Sequence, residues 1–271
     1  MEKLQAALDK ARKTRQENGP ESPRAPAKPT RAARSGDVED LWQALPAIQI
    51  DDRTLEKHRL VTQVANTKAT PFDILRTKVL LQMRQNGWKR IAITSPMPNS
   101  GKTTTACNLA LSLGRQSDLR SMVLDFDLRD PSVKTFLNHT PQIGLGDVIS
   151  GNAEFADQAV RIGPNVAFSM ANKPESDPAR LLLAEETANV IDRIELEYKP
   201  DVMIFDLPSM LINDDTRAFL KNVDCALVVI RAGKTRYKQF DISEREIAEQ
   251  TNVVGVVLNA YQHADVAKSG E

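Results

Sequence analysis

The sequence predicts an α/β protein built on a doubly wound, mostly parallel sheet. Three observations predict it. From Lys89 onward, short β-branched runs alternate with helical stretches. The runs are apolar on both faces, as strands buried in a parallel sheet are. The first run leads through a short loop into Gly101-Lys102-Thr103 at the opening of a helix. The runs cover residues 90–94, 121–127, 166–170, 202–205, 225–231 and 253–258. The segments between them supply the crossovers that parallel strands require. No internal repeat interrupts this order.

Before the alternation come two different regions. Residues 1–17 carry Leu4, Ala7, Leu8 and Ala11 at helical spacing among lysines and arginines. The stripe is narrow, so this helix reads either as a docking segment or as a solvated terminus. Residues 18–36 are a linker in which Pro20, Pro23, Pro26 and Pro29 fall every third residue, the period of polyproline II. From Arg12 to Arg34 seven basic residues stand against two acidic ones. Such an arm suits a spacer, or contact with anionic lipid or an acidic partner. Residues 37–89 carry helical patches, among them a face of Phe72, Leu75, Val79 and Met83. The chain therefore divides into an N-terminal helix and linker (1–36), a P-loop domain (37–262) and a short tail (263–271).

Composition excludes several classes. The 36 basic and 36 acidic residues cancel, whereas nucleic-acid binding wants a basic excess. Cys107 and Cys225 lie far apart in apolar segments, which speaks against a disulfide framework and for a reducing cytosol. No apolar run approaches the ~20 residues needed to cross a bilayer, and the charged start lacks a signal-peptide core. The expected location is cytoplasmic, with any membrane contact made through a partner.

Three motifs carry chemistry. The first is Ile91-Ala-Ile-Thr-Ser-Pro-Met-Pro-Asn-Ser-Gly-Lys-Thr-Thr-Thr105, a strand, a loop and a helix whose stripe is Ala106, Leu109, Ala110 and Leu113. Backbone N–H groups at a helix N-terminus point at an anion, and the helix dipole adds to the attraction. Asn99, Ser100, Gly101, Lys102, Thr103 and Thr104 are thus the candidate phosphate cradle. Lys102 would reach the β- and γ-phosphates of ATP, and the Thr103 hydroxyl would bind Mg²⁺. Pro96 stands where the usual phosphate-loop pattern has its first glycine. The second motif, Met122-Val-Leu-Asp-Phe-Asp-Leu-Arg-Asp-Pro131, ends a strand in Asp125 and Asp127. Strand ends are where open α/β sheets bind ligands, though either Asp127 or Asp130 also suits a plain helix cap. The third, Val202-Met-Ile-Phe-Asp-Leu-Pro-Ser209, places Asp206 at a strand end, the arrangement that holds Mg²⁺ through water.

Together the motifs resemble those of the bacterial tyrosine kinases of capsule and exopolysaccharide loci, the CpsD/CapB family, in the MinD/ParA branch of P-loop proteins. Thr94-Ser-Pro-Met-Pro-Asn-Ser-Gly-Lys-Thr103 resembles the family loop T-S-x-x-P-x-E-G-K-[ST], which has no glycine at 96. Asp125-Phe-Asp-Leu-Arg129 is similar to its D-x-D-x-R, and Asp206-Leu-Pro-Ser209 to its D-x-P-P. Further similarity lies in residues 177–182, 229–235 and 255–259, so the resemblance covers about residues 55–262. It implies a P-loop NTPase fold of the MinD/ParA-like type, with ATP and Mg²⁺ as cofactors. It implies catalytic roles for Lys102, Asp125 as proton acceptor and Asp127, metal binding by Thr103, Asp127 and Asp206, and adenine contact by Asn259, for which strand termination is an equal reading. It also implies a membrane polysaccharide co-polymerase as partner and self-association, with no nucleic acid involved. Two functions follow: a protein-tyrosine autokinase, or an ATP-binding switch that gates export without phosphorylating tyrosine.

The chain departs from the family pattern in places. Ser100 replaces an acidic residue, and Ser209 replaces the second proline of D-x-P-P. The assembly helix E-x-x-R-x-x-R reads Thr70, Asp73 and Arg76. The tail has Tyr261 alone, and Tyr198 and Tyr237 are the other tyrosines. His58, His139 and His263 read as surface residues, and Trp42 and Trp88 as packing residues.

Overall fold

A computed structural model describes residues 35–261 of the chain. The readings of residues 1–17 and 263–271 fall outside these, as does nearly all of the proline-spaced linker. Three helices precede the sheet: α1 (Ser35–Ala44), α2 (Asp52–His58) and α3 (Thr70–Asn86). Trp42 on α1 is fully buried, and its Nε1 donates to Tyr198 O at 2.8 Å. The Asp51 carboxylate caps α2 by accepting from Thr54 N, which satisfies an N–H that the first turn leaves without a partner. Gly87 ends α3 at φ 68°, in the left-handed region that glycine adopts without a Cβ clash. The face that α3 buries is Val79, Leu80 and Met83. Phe72, at its other end, is half-buried.

The strands are β1 (Arg90–Ser95), β2 (Ser121–Asp125), β3 (Val160–Ile162), β4 (Val166–Ser169), β5 (Val202–Ser209), β6 (Cys225–Arg231) and β7 (Asn252–Asn259). They form one sheet in the order β3-β4-β2-β5-β1-β6-β7. Every pairing is parallel except β3 against β4. The chain goes from β1 past β5 to β2, and later returns from β5 to β6 on the far side of β1. This is the doubly wound arrangement, and it opens a crevice at the carboxyl ends of the central strands.

Strand ends differ from the sequence reading where tertiary contacts decide them. The second strand stops at Asp125 rather than 127, because Phe126 N turns to bond Asp206 O at 2.9 Å. The fourth predicted strand runs on from 205 to Ser209 along β1. The antiparallel β3 was not anticipated: three residues carry no periodicity, and the turn that folds it back on β4 is made by Gly163 at φ 65°.

Helices α4 (Lys102–Gly114), α5 (Val133–Leu137), α6 (Leu145–Ile149), α7 (Pro178–Leu183), α8 (Glu185–Tyr198), α9 (Asp215–Phe219) and α10 (Tyr237–Ala248) fill the crossovers. α4 runs through the middle: every residue from Thr105 to Leu113 is buried. Its buried polar residues Thr105, Asn108 and Ser112 are hydrogen-bonded, and the helix carries the phosphate loop at its start. Phe126, Phe205 and Phe219 stack with ring centroids 4.4–5.3 Å apart. Because side chains alternate along a strand, the Phe205 ring and the Asp206 carboxylate face opposite sides. The aromatic cluster thereby fixes the strand end that aims Asp206 at the crevice. Trp42 is a packing residue, as the sequence suggested, and both cysteines are buried and free. His58 departs from the surface reading: it is half-buried with its ring 4.5 Å from that of Phe136, and burial lowers its pKa.

Candidate nucleotide-binding and active site

The loop from β1 to α4 owes its shape to two left-handed residues, Asn99 at φ 59° and Gly101 at φ 93°. Gly101 is required twice over. Its φ disfavours any side chain, and a Cβ there would lie 2.0 Å from Asn259 Nδ2. Asn259, the last residue of β7, donates from Nδ2 to Ser100 O at 2.8 Å. Arg231, the last of β6, donates to Asn99 O at 2.9 Å. Strand ends 130 and more residues away thus brace the cradle. No acidic residue occupies the first turn of α4, so the positive end of its dipole is left for an anion. The strand-to-helix cradle read from sequence is present, and Ser100 spends its hydroxyl on Met97 O at 2.8 Å.

Behind the cradle lie the carboxylates. Thr103 Oγ1 donates to Asp206 Oδ2 at 2.6 Å and lies 2.8 Å from Ser132 Oγ. Asp125 and Asp206 are register partners on β2 and β5, so the two carboxylates are neighbours. Both are fully buried. Asp125 Oδ2 accepts from Val133 N at 3.0 Å. Asp125 Oδ1 and Asp206 Oδ1 have no hydrogen-bond partner. Burial, and then the Asp206 charge, push the Asp125 pKa well above the carboxylate range. Burial raises Asp206 to about 7, opposed by the Lys102 charge. Asp127 is half-buried just beyond the strand, and burial raises it too, again opposed by Lys102.

An unpartnered buried carboxylate oxygen is costly, and two of them beside a threonine hydroxyl want a cation. The donors are all oxygen, which suits a hard ion such as Mg²⁺. Among the described residues no cluster of three or more His, Cys, Asp or Glu side chains forms a metal cage. The residues present fit the ion, with Thr103 and Asp206 closest together and Asp125 behind them.

Several contributors escaped the sequence reading. Arg129 Nε donates to Asp215 Oδ2 at 2.7 Å and its Nη2 to Oδ1 at 3.0 Å, a two-point grip on a buried carboxylate. That grip pins the loop carrying Asp127. Asp215 lies in the run Asn213-Asp-Asp215, which reads as turn chemistry, and only the tertiary partner marks it out. Ser132 follows Asp130-Pro131 and looks like a helix cap from sequence. On the other side of the loop, a cavity of about 320 Å³ is lined by Phe72, Thr104, Asn259 and three cations, Arg59, Lys68 and Arg231. Two of the three positions matched to an assembly helix, Asp73 and Arg76, are spent inside the chain, while Thr70 is exposed. Ser112 Oγ donates to Asp73 Oδ1 at 2.7 Å, and Arg76 donates to Ser112 O at 3.0 Å. Arg115 also pairs with Asp73.

A parallel doubly wound sheet, a strand-loop-helix turn and a Thr–Asp pair on adjoining strands define a P-loop fold of the MinD-like type. No family model matches the chain. It is 27% identical over 204 residues to the tyrosine-protein kinase YwqD of Bacillus subtilis, covering 73% of this chain and 84% of that one. It is 27% identical over 184 residues to the succinoglycan biosynthesis transport protein ExoP of Rhizobium meliloti, covering 66% of this chain but only 23% of that longer protein. Its fold matches the crystal structure of the VpsO kinase domain with a TM-score of 0.65 at 25% identity, over 76% of this chain and 98% of that domain. The septum site-determining protein MinD of Pyrococcus horikoshii shares the fold at a TM-score of 0.54 and 20% identity, over 65% of this chain and 72% of that one. The chain is thus similar to bacterial tyrosine kinases in sequence and to their kinase domains in fold.

Proposed function

We propose that the chain is an ATP- and Mg²⁺-dependent protein-tyrosine autokinase acting with a membrane polysaccharide chain-length or export protein. The observation that carries the proposal is the buried Asp125–Asp206 pair, with one unpartnered oxygen each, set against Thr103 at the mouth of the phosphate cradle. Its similarity to YwqD and ExoP supports the kinase chemistry and the polysaccharide setting.

Phosphoryl transfer needs positioning and charge neutralisation more than covalent chemistry from the protein. The α4 amides and Lys102 would hold the phosphates of ATP. Thr103 would ligate Mg²⁺, with Asp206 and Asp127 holding its waters. The bound ion supplies charge neutralisation at the transferring phosphoryl group. Asp125 would accept the hydroxyl proton on its unpartnered Oδ1, the oxygen not engaged by Val133 N. Asn259 would meet the nucleoside. No described helix is long and apolar enough to cross a membrane, so contact with the membrane would come through the partner.

A second reading is favoured by the tyrosines. Tyr198 is 2% exposed and packs on Trp42 and Phe155, and burial raises its pKa to about 12. It is no acceptor. Tyr237 and Tyr261 are exposed. With Asp73 and Arg76 committed internally, the assembly route implied by the family helix is altered as well. On this reading the chain binds and slowly hydrolyses ATP as a switch. Incubation with labelled ATP and Mg²⁺, with and without the cytoplasmic segment of a candidate co-polymerase, decides between them. Phosphotyrosine at Tyr237 or Tyr261 by mass spectrometry supports the kinase. ATP hydrolysis without phosphotyrosine supports the switch, and absence of both rejects the proposal.

A further inference from the structure

Ser209, which stands where the resembled motif has a proline, meets the phosphate-loop lysine. Lys102 Nζ donates to Ser209 Oγ at 3.2 Å. Ser209 Oγ lies 3.1 Å from Ser95 Oγ, and Ser95 Oγ donates to Met97 O at 2.8 Å. Counting hydrogens assigns the donors. Ser95 has one hydroxyl hydrogen, and it is committed to Met97 O. Ser209 therefore donates to Ser95 and presents a lone pair to Lys102. The run ends on the carbonyl that also accepts from Ser100 Oγ at 2.8 Å, so the lysine head is linked through two serines to the backbone of its own loop.

The anchor is rigid. Ser209 is 4% exposed, and Ser95 and Ser209 are register partners on β1 and β5. On either side of them Thr94 Oγ1 donates to Pro208 O at 2.7 Å and Met210 N donates to Ser95 O at 2.8 Å. A lysine side chain, in contrast, loses much rotamer freedom when it is ordered.

We infer that Ser209 is a positioning residue for Lys102: its hydroxyl orders the ammonium at the phosphate loop before nucleotide arrives. The inference rests on the reading of Lys102 as a phosphate ligand. A neutral hydroxyl at 3.2 Å is a weak acceptor beside a phosphate oxygen, so it aims the lysine without holding it back. Proline, the residue of the resembled motif at this position, has no hydroxyl and could not make this contact.

The test compares full-length parent, Ser209→Ala and Ser209→Thr by calorimetric titration with Mg·ATP and with AMP, alongside thermal melts. Ser209→Ala raises the Mg·ATP Kd about fivefold, the scale of one modest hydrogen bond. AMP lacks the β- and γ-phosphates, and its affinity changes less than about twofold. Ser209→Thr keeps the hydroxyl and binds Mg·ATP within about twofold of the parent. Unchanged Mg·ATP affinity in Ser209→Ala overturns the inference alone. So do equal losses in the Ala and Thr variants, or an equal loss for AMP, since each points to packing. A parent protein that binds no Mg·ATP overturns the nucleotide reading, and this inference with it.

Discussion

Toward the carboxyl ends of β2 and β5, Asp125 and Asp206 are sealed from solvent, with Asp206 held against the start of α4 by Thr103. At the end of β7, on the other side of the same loop, Asn259 is half-exposed, and Arg59, Lys68 and Arg231 face water. The first region is central in the sheet, where neighbouring strands fix every backbone position. The second lies on an edge strand, paired on one side only. The contrast follows the chemistry proposed for each end. Charge neutralisation at phosphate gains from a dry, preorganised setting, in which electrostatic interactions are strong. A nucleoside must enter and leave, and an edge strand with few constraints suits that.

The most damaging change to the buried end is Lys102→Met. It removes a charge-assisted contact to phosphate, so Mg·ATP affinity falls about 100-fold or more. The fold survives, because the lysine head makes a single hydrogen bond among the described residues, to Ser209. Calorimetry on a variant with a native melting curve checks this. Retained affinity would move the phosphate site away from the cradle.

Next is Asp125→Asn, which keeps the shape and removes the proton acceptor. Turnover falls by about 10²-fold with ATP still bound, the usual scale for a lost general base. Asp127→Asn is the informative companion, because Asp127 is half-exposed while Asp125 is sealed. A larger loss of turnover in Asp127→Asn, at equal ATP affinity, would exchange the two roles.

A smaller effect tests the burial itself. Asp206 titrates near 7 in the fold, well above an unfolded aspartate at about 3.9. Between these values the folded state binds more protons than the unfolded one, so its stability falls as pH rises. The ligand-free protein should therefore melt higher at pH 6 than at pH 8, by about 3 °C. Asp206→Asn should flatten that slope and raise the melting point at pH 8. His58 acts in the opposite sense, but only below about pH 6.5, since its lowered pKa favours the fold when neutral. The comparison of variant with parent separates the Asp125–Asp206 pair from His58. The carboxylates lowered by hydrogen bonds, Asp51 and Asp73, lose their contribution only below about pH 4. Equal slopes in parent and variant would mean that the Asp125–Asp206 pair is wetter than its burial indicates.

The same contrast explains what the sequence disclosed. The buried end was legible because its parts are local: a strand, a loop and a helix within residues 91–113, and two strands each ending in aspartate. Buried parallel strands also announce themselves by continuous apolar runs. The open end was not legible, because Arg59, Lys68, Phe72 and Arg231 are brought together only by the crossing of α3, β6 and β7 around the loop. Asp215 and Ser132 were missed for a related reason. Aspartate and serine in short polar runs have an adequate local explanation as turn and cap residues, and their partners Arg129 and Thr103 are visible only in three dimensions. β3 was too short to show any period.

The smallest effect belongs to Asn259, and it asks whether the open end reads the nucleoside or only supports the loop. Its Nδ2 already donates to Ser100 O at 2.8 Å, so Asn259→Ala removes a brace as well as a candidate base contact. A single such hydrogen bond changes affinity by about fivefold. The two roles separate when ATP, GTP and inorganic tripolyphosphate are compared in the parent and in Asn259→Ala. A nucleoside contact lowers ATP affinity, narrows the ratio of ATP to GTP, and leaves tripolyphosphate within about twofold of its parent value. A pure brace weakens all three alike, because a loosened Ser100 disturbs the phosphate cradle whatever the ligand carries beyond its phosphates. Gly101 sharpens the distinction. A Cβ there meets Asn259 Nδ2 at 2.0 Å, so Gly101→Ala displaces Asn259 and strains the φ 93° backbone together. It should therefore damage tripolyphosphate binding even where Asn259→Ala does not. Equal weakening of ATP and tripolyphosphate by Asn259→Ala would assign the end of β7 to the phosphate cradle and leave base recognition to the cavity bounded by Phe72.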